Sequence, residues 1–116
     1  MTFFPKQMRI TNESQLRMLF DSGKSISSGG ITLKYIYSQT EFKVGFSAPK
    51  RLHTTAVTRN LLKRRMRESF RLQKNILGDS FYGIGYFIYS KNIVKSSSEI
   101  YRAFTTLLTK WKDSET

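Results

Sequence analysis

Apolar residues recur along this chain with two periods, and the changes of period mark out its elements. In TNESQLRMLFDSGK, Leu16, Leu19 and Phe20 fall at helical spacing, with Thr11, Asn12 or Ser14 as a cap and Gly23 as the stop. The pattern predicts a short helix. The next segment, SISSGG, reads as a turn. In ITLKYIYS the period drops to two, with Ile31, Leu33, Tyr35 and Tyr37 on one face and Thr32 and Lys34 on the other. EFKVGFSA repeats the alternation through Phe42, Val44, Phe46 and Ala48. These two strands are expected to pair as a hairpin, with Pro49 ending the ladder because it has no N–H to give.

From about Val57 to Leu77 the chain has no Gly or Pro, is rich in Leu, Lys, Arg and Met, and closes at Gly78, which predicts a long helix with a glycine C-cap. YGIGYFIYS follows, apolar enough on both faces to lie inside a sheet. Ser96 with Glu99 then forms a capping box before a helical stripe of Ile100, Phe104, Leu107, Leu108 and Trp111. Neither repeat nor linker interrupts this order of helix, strands, helix, strand, helix, so one α+β domain is expected over the 116 residues.

Charge changes the picture. Twenty Lys/Arg stand against eight Asp/Glu, a formal +12, and seven of the basic residues lie between Ala56 and Lys74 with one acid among them. A surplus of this size makes polyanions the natural partners. Placed 100° apart, Leu62, Met66, Ser69, Phe70 and Leu77 form one arc of the helix. Asn60, Lys63, Arg64, Arg67, Arg71 and Lys74 form the neighbouring arc. Arg65 falls on the far side near Leu61 and Leu72, and Arg59 sits at the helix start beside Lys50 and Arg51 of the preceding loop. A solvated helix face usually mixes Glu with Lys, whereas like charges at i, i+4, as in Lys63, Arg67 and Arg71, repel by a few tenths of a kcal/mol each. An anion relieves that repulsion, and the excess of Arg suits phosphate oxygens taken in pairs.

A membrane or calmodulin role for this helix conflicts with its position between strands that need its apolar side as core cover. Helix-turn-helix and zinc-finger spacings are missing, which disfavours reading of duplex DNA. Single-stranded RNA fits better, since aromatics beside a positive channel are its usual platform; Phe20 and Tyr35 are the aromatics expected to be exposed in a cleft. Catalysis by the protein finds little support: the eight acids are scattered singly, His53 stands alone in a loop, and no phosphate-cradling Gly-rich loop appears. With no cysteine, thiolate chemistry is excluded. No run reaches the roughly 18 apolar residues of a membrane span and no secretory signal precedes the domain, so a cytoplasmic location is expected.

The chain resembles the bacterial ribonuclease P protein component. FPKQMRI and LFDSGKS are similar to that family's opening and first helix, KVGFSAPKR to its third strand and exit, and AVTRNLLKRRMRESFR to its signature, often called the RNR motif. The resemblance implies a single-domain α/β sandwich of a ribosomal-protein type, in the order α-β-β-β-α-β-α. It also implies a left-handed β-α-β crossover, although about 98% of such connections are right-handed. It implies a subunit that binds the catalytic RNA of an endoribonuclease and the single-stranded 5′ leader of precursor tRNA. The chemistry then belongs to the RNA and its Mg²⁺ ions, with no organic cofactor and no obligate protein partner.

Carried over by position, Arg59, Asn60, Lys63, Arg64, Arg67 and Arg71 would bind the catalytic RNA, and Asn60 would lie near metal ions. Phe20, Tyr35, Lys50 and Arg51 would line or edge the leader cleft, and Leu16 falls where an aromatic is common. Two departures stand out: Leu61 where the family usually has Arg, and LHTT in place of a more basic loop. Arg65, one turn on, is the candidate to compensate. A basic ribosomal or ribosome-assembly protein is the alternative, and an independent RNA-cleaving enzyme a third reading.

Overall fold

The structure, a computed structural model, describes residues 13–114. Its elements are α1 (Glu13–Ser22), β1 (Lys24–Ser28), β2 (Ile31–Ile36), β3 (Phe42–Ser47), α2 (Ala56–Gln73), a short 3₁₀ turn (Lys74–Ile76), β4 (Gly83–Tyr89) and α3 (Ser97–Ser114). The expected α-β-β-β-α-β-α order is therefore present. Ser14 lies inside α1, and the other two candidate caps, Thr11 and Asn12, lie outside the described residues. Gly23 closes α1 by giving its N–H to the Leu19 carbonyl at 2.9 Å.

The strands form one sheet in the order β1-β2-β4-β3. Two expectations are corrected here. SISSGG is not all turn: Lys24–Ser28 is a strand, antiparallel to β2, and only Gly29 and Gly30, at φ of 56° and 82°, make the bend. That positive-φ pair is the backbone a two-residue hairpin requires. Nor do β2 and β3 pair with each other. β4 lies between them, antiparallel to β2 and parallel to β3, with Leu33 opposite Phe87 and Phe46 opposite the same residue from the other side. Alternation fixes which side chains share a face but not which strand lies alongside, and the apolar face of β4 matches both neighbours.

Helices α2 and α3 cover one face of the sheet. Against it they bury Leu62, Met66, Phe70, Ile100, Phe104, Leu107 and Trp111, which meet Ile31, Leu33, Val44, Phe87 and Tyr89 in a single core. Aromatic rings dominate it: Phe87 stacks on Phe46 at 5.5 Å and on Phe104 at 4.5 Å, and Trp111 meets Phe81 edge to face at 5.0 Å. The two β4 glycines make room for that indole. A Cβ on Gly85 would stand 2.6 Å from the Trp111 ring, and one on Gly83 at 3.3 Å. Between the helices, Gln73 is buried, gives its amide N–H to the Tyr101 carbonyl at 2.8 Å and accepts from the Thr105 hydroxyl.

Helix α1 lies against β2 and β4, and its Leu19 is fully buried outside the main core. Gln15 of α1 donates to the Glu41 carboxylate at 2.6 Å, which ties the helix to the start of β3. The capping box at α3 is present as expected: the Ser96 hydroxyl accepts the Glu99 N–H, and the Glu99 carboxylate accepts the Ser96 N–H at 3.0 Å.

Candidate nucleic-acid interface

Helix α2 begins where Thr55, in extended backbone, accepts the Thr58 N–H on its hydroxyl. Its inward arc is Leu62, Met66, Ser69, Phe70 and Gln73, all buried. The neighbouring arc carries Asn60, Lys63, Arg64, Arg67 and Arg71, exposed or half-buried. Their spacing puts these five on one side of the helix. Glu68 pairs with Arg71, and this hydrogen bond and charge raise the guanidinium pKa. An exposed pair of this kind contributes little stability. The net charge of the arc stays strongly positive.

The loop before α2 is built around its basic residues. Lys50 and Arg51 are exposed in a turn closed by the Leu52 and His53 N–H groups on the Pro49 carbonyl. His53, which stands alone among loop residues in the sequence, is buried: its Nε2 lies 2.7 Å from the Lys91 carbonyl and its ring sits edge-on to Tyr89 at 5.5 Å. It joins this loop to the one after β4. Arg59 gives Nη1 to the His53 and Thr54 carbonyls at 2.9 and 3.0 Å. Its guanidinium is thus held beside the loop and not along the helix face. Arg65, on the far side of the helix, likewise donates to the Lys95 carbonyl at 2.6 Å.

The second face of the sheet is the other candidate surface. By register, Lys34 of β2, Tyr86 of β4 and Gly45 of β3 lie in one row, with Ile36, Ile84 and Lys43 in the row below and Thr32, Ile88 and Ser47 in the row above. Phe20, half exposed on α1, meets Tyr86 edge to face at 5.9 Å. An aromatic pair flanked by two lysines is the chemistry of a single-strand platform.

Tyr35 is not part of it. Sharing a face with Ile31 and Leu33, it points into the core, is 8% exposed and packs 6.1 Å from Trp111. The cleft expectation for Tyr35 is therefore corrected, and its place is taken by residues that sequence reasoning missed: Lys34, Lys43 and Tyr86. The alternation of ITLKYIYS already separated Lys34 from Tyr35. What it lacked was the knowledge that Tyr86 is Lys34's cross-strand neighbour.

No group of three His, Asp or Glu side chains that could hold a metal ion occurs among the described residues. Asn60 is exposed on α2, and one amide oxygen falls well short of the octahedral oxygen shell that Mg²⁺ demands. The described residues alone do not fit a metal site. No helix among the described residues is long and apolar enough to cross a membrane.

The family model described as Ribonuclease P matches residues 4–112. A ribonuclease P protein component of Nitrosococcus oceani is 33% identical over 76 residues, which span 65% of this chain and 64% of that protein. One from Streptococcus agalactiae is 33% identical over 75 residues, 64% of this chain and 68% of that protein. Among solved structures, the Staphylococcus aureus RNase P protein superposes with a TM-score of 0.77 at 22% identity, covering 92% of this chain and 97% of that one. The RNase P protein of Thermotoga maritima gives 0.76 at 19% identity, covering 88% and 96%. These two likenesses establish the fold, and the match of the family model along nearly the whole sequence establishes the lineage: the chain belongs to the ribonuclease P protein component family.

Proposed function

We propose that this chain is the protein subunit of a cytoplasmic ribonuclease P ribonucleoprotein, binding the catalytic RNA along α2 and the single-stranded 5′ leader of precursor tRNA across the second face of the sheet. The observation that carries the reading is the division of α2 into a buried apolar arc and an adjoining arc of Asn60, Lys63, Arg64, Arg67 and Arg71. Guanidinium groups at this density bind phosphates, and each phosphate contact releases counterions. Phe20 and Tyr86 offer rings to leader bases, with Lys34, Lys43, Lys50 and Arg51 toward the backbone. Hydrolysis of the phosphodiester belongs to the RNA and the Mg²⁺ ions it holds. The protein contributes contacts that precursor makes and mature tRNA, lacking the leader, does not. Such contacts raise precursor affinity without any protein group touching the reacting phosphate.

The test is cleavage of a 5′-labelled precursor tRNA at low Mg²⁺ by this chain alone, by a bacterial ribonuclease P RNA alone, and by both together. Cleavage at the mature 5′ end only in the mixture, or much faster there, is the expected result. Cleavage by the chain alone would instead make it an RNA-cleaving enzyme, and no enhancement by the chain would point to ribosomal RNA as its partner.

A further inference from the structure

A groove of about 320 Å³ runs between α2 and α3, on the flank of α2 next to its basic arc. Its walls are mixed: Leu61, Leu72 and Ser69 from α2, with Tyr101 and Ser97 from α3. Leu72 is 53% exposed and Tyr101 42%, although each has apolar area enough to be buried if a partner covered it. Its polar rim is Arg64 and Arg65, with Glu68 beside them. The Glu68 carboxylate pairs with Arg71, which offsets part of its repulsion of an incoming anion. Arg65 is held in place by the Lys95 carbonyl, which fixes its guanidinium at the mouth of the groove.

We propose that this groove takes one unstacked nucleobase of the RNA bound along α2, the base lying against Tyr101, Leu61 and Leu72 while Arg64 and Arg65 meet the flanking phosphates. The inference rests on the reading of α2 as the RNA face. Three observations favour RNA over a protein segment as the occupant. The groove opens beside the basic arc, so a strand following that arc reaches it without crossing other surface. Arg64 belongs to both, lining the groove and standing in the arc. The combination of one aromatic wall, aliphatic walls and guanidinium groups matches how splayed-out bases are held, by stacking and by Arg planes. The volume is that of a small-ligand site, whereas a docked peptide helix needs a longer trough.

Binding of a bacterial ribonuclease P RNA to the full chain, measured by filter retention over a range of salt concentrations, tests the proposal. Tyr101→Ala is expected to weaken binding about tenfold, the cost of losing one base stack. The dependence on salt should stay unchanged, because no phosphate contact is lost. Tyr101→Phe should bind as the wild type does, and Leu72→Ala, at an exposed helical position that tolerates alanine, should weaken binding in the same direction as Tyr101→Ala. Arg64→Ala should weaken it with a salt slope lower by about one. Wild-type affinity in both Tyr101→Ala and Leu72→Ala would overturn the inference and leave the groove to a protein partner. So would a loss in Tyr101→Ala accompanied by a flatter salt slope. Failure of the unaltered chain to bind the RNA at all would instead remove the reading of α2 as the RNA face, and this inference with it.

Discussion

Gly85 and Trp111 show how one position without a side chain decides what its neighbour can be. Trp111 is fully buried, lies within 6.1 Å of the Tyr35 and Phe42 rings and 5.0 Å of Phe81, and covers β4 at the height of Gly85. Its Nε1 has no hydrogen-bond partner, a cost that the ring packing outweighs. Because the alanine Cβ would meet an indole that its neighbours hold, Gly85→Ala is expected to lower stability by about 1–3 kcal/mol. A urea midpoint equal to the wild type's would show that the indole can shift instead. The same close packing explains Tyr35. Its aromatic type suggested a stacking residue, but its parity with Ile31 and Leu33 was the stronger signal, and parity places it against Trp111.

At the scale of elements, the start of α3 rests on a reciprocal pair of bonds between Ser96 and Glu99. The backbone N–H and the hydroxyl of Ser96 hold the Glu99 carboxyl below the usual carboxylate range. A carboxyl depressed in the folded state stabilises it above the unfolded pKa, and that contribution is lost as pH falls through the folded value. Thermal midpoints measured by circular dichroism should therefore fall more steeply below about pH 4.5 in the wild type than in Glu99→Gln. Parallel curves would mean that the box adds nothing to folding.

This capping box was legible in the sequence, as was the basic arc of α2, because each depends on residues within a turn or two of one another, but the helix expected to run to Leu77 and stop at Gly78 ends at Gln73 and passes into a 3₁₀ turn first. Strand partnership was not legible. Phe42 finds its partner at Gly83, beyond the whole of α2, and nothing local to either strand records that pairing. The Ser-rich β1 was missed for a different reason: it is an edge strand, exposed at Lys24, Ser25 and Ser27, and so carries no apolar alternation to be read. The candidate site divides in the same way. Its helical half is contiguous in sequence, whereas the Phe20, Lys34, Lys43 and Tyr86 cluster joins four elements and exists only in the assembled sheet.

For the molecule as a whole, the formal charge of +12 is a standing self-repulsion that folding concentrates, above all along α2. A ligand that binds the folded arrangement more tightly than the unfolded chain raises stability by mass action. A short single-stranded RNA at micromolar concentration, too dilute for general salt effects, is thus expected to raise the thermal midpoint of the chain, and the rise should disappear at high salt. An unshifted midpoint at low salt would mean that folding creates no anion site the unfolded chain lacks.

The strand order adds a consequence in time. Because β3 lies at the edge of the sheet with β4 beside it, a chain emerging from the ribosome as far as α2 lacks both the strand that β3 pairs with and the helix α3 that α2 packs against. Its lysines and arginines then lack the assembled core that fixes their arrangement, and they attract any polyanion. Only after Tyr89 has been synthesised can the sheet complete, so shaped recognition replaces indiscriminate attraction late in the making of each molecule.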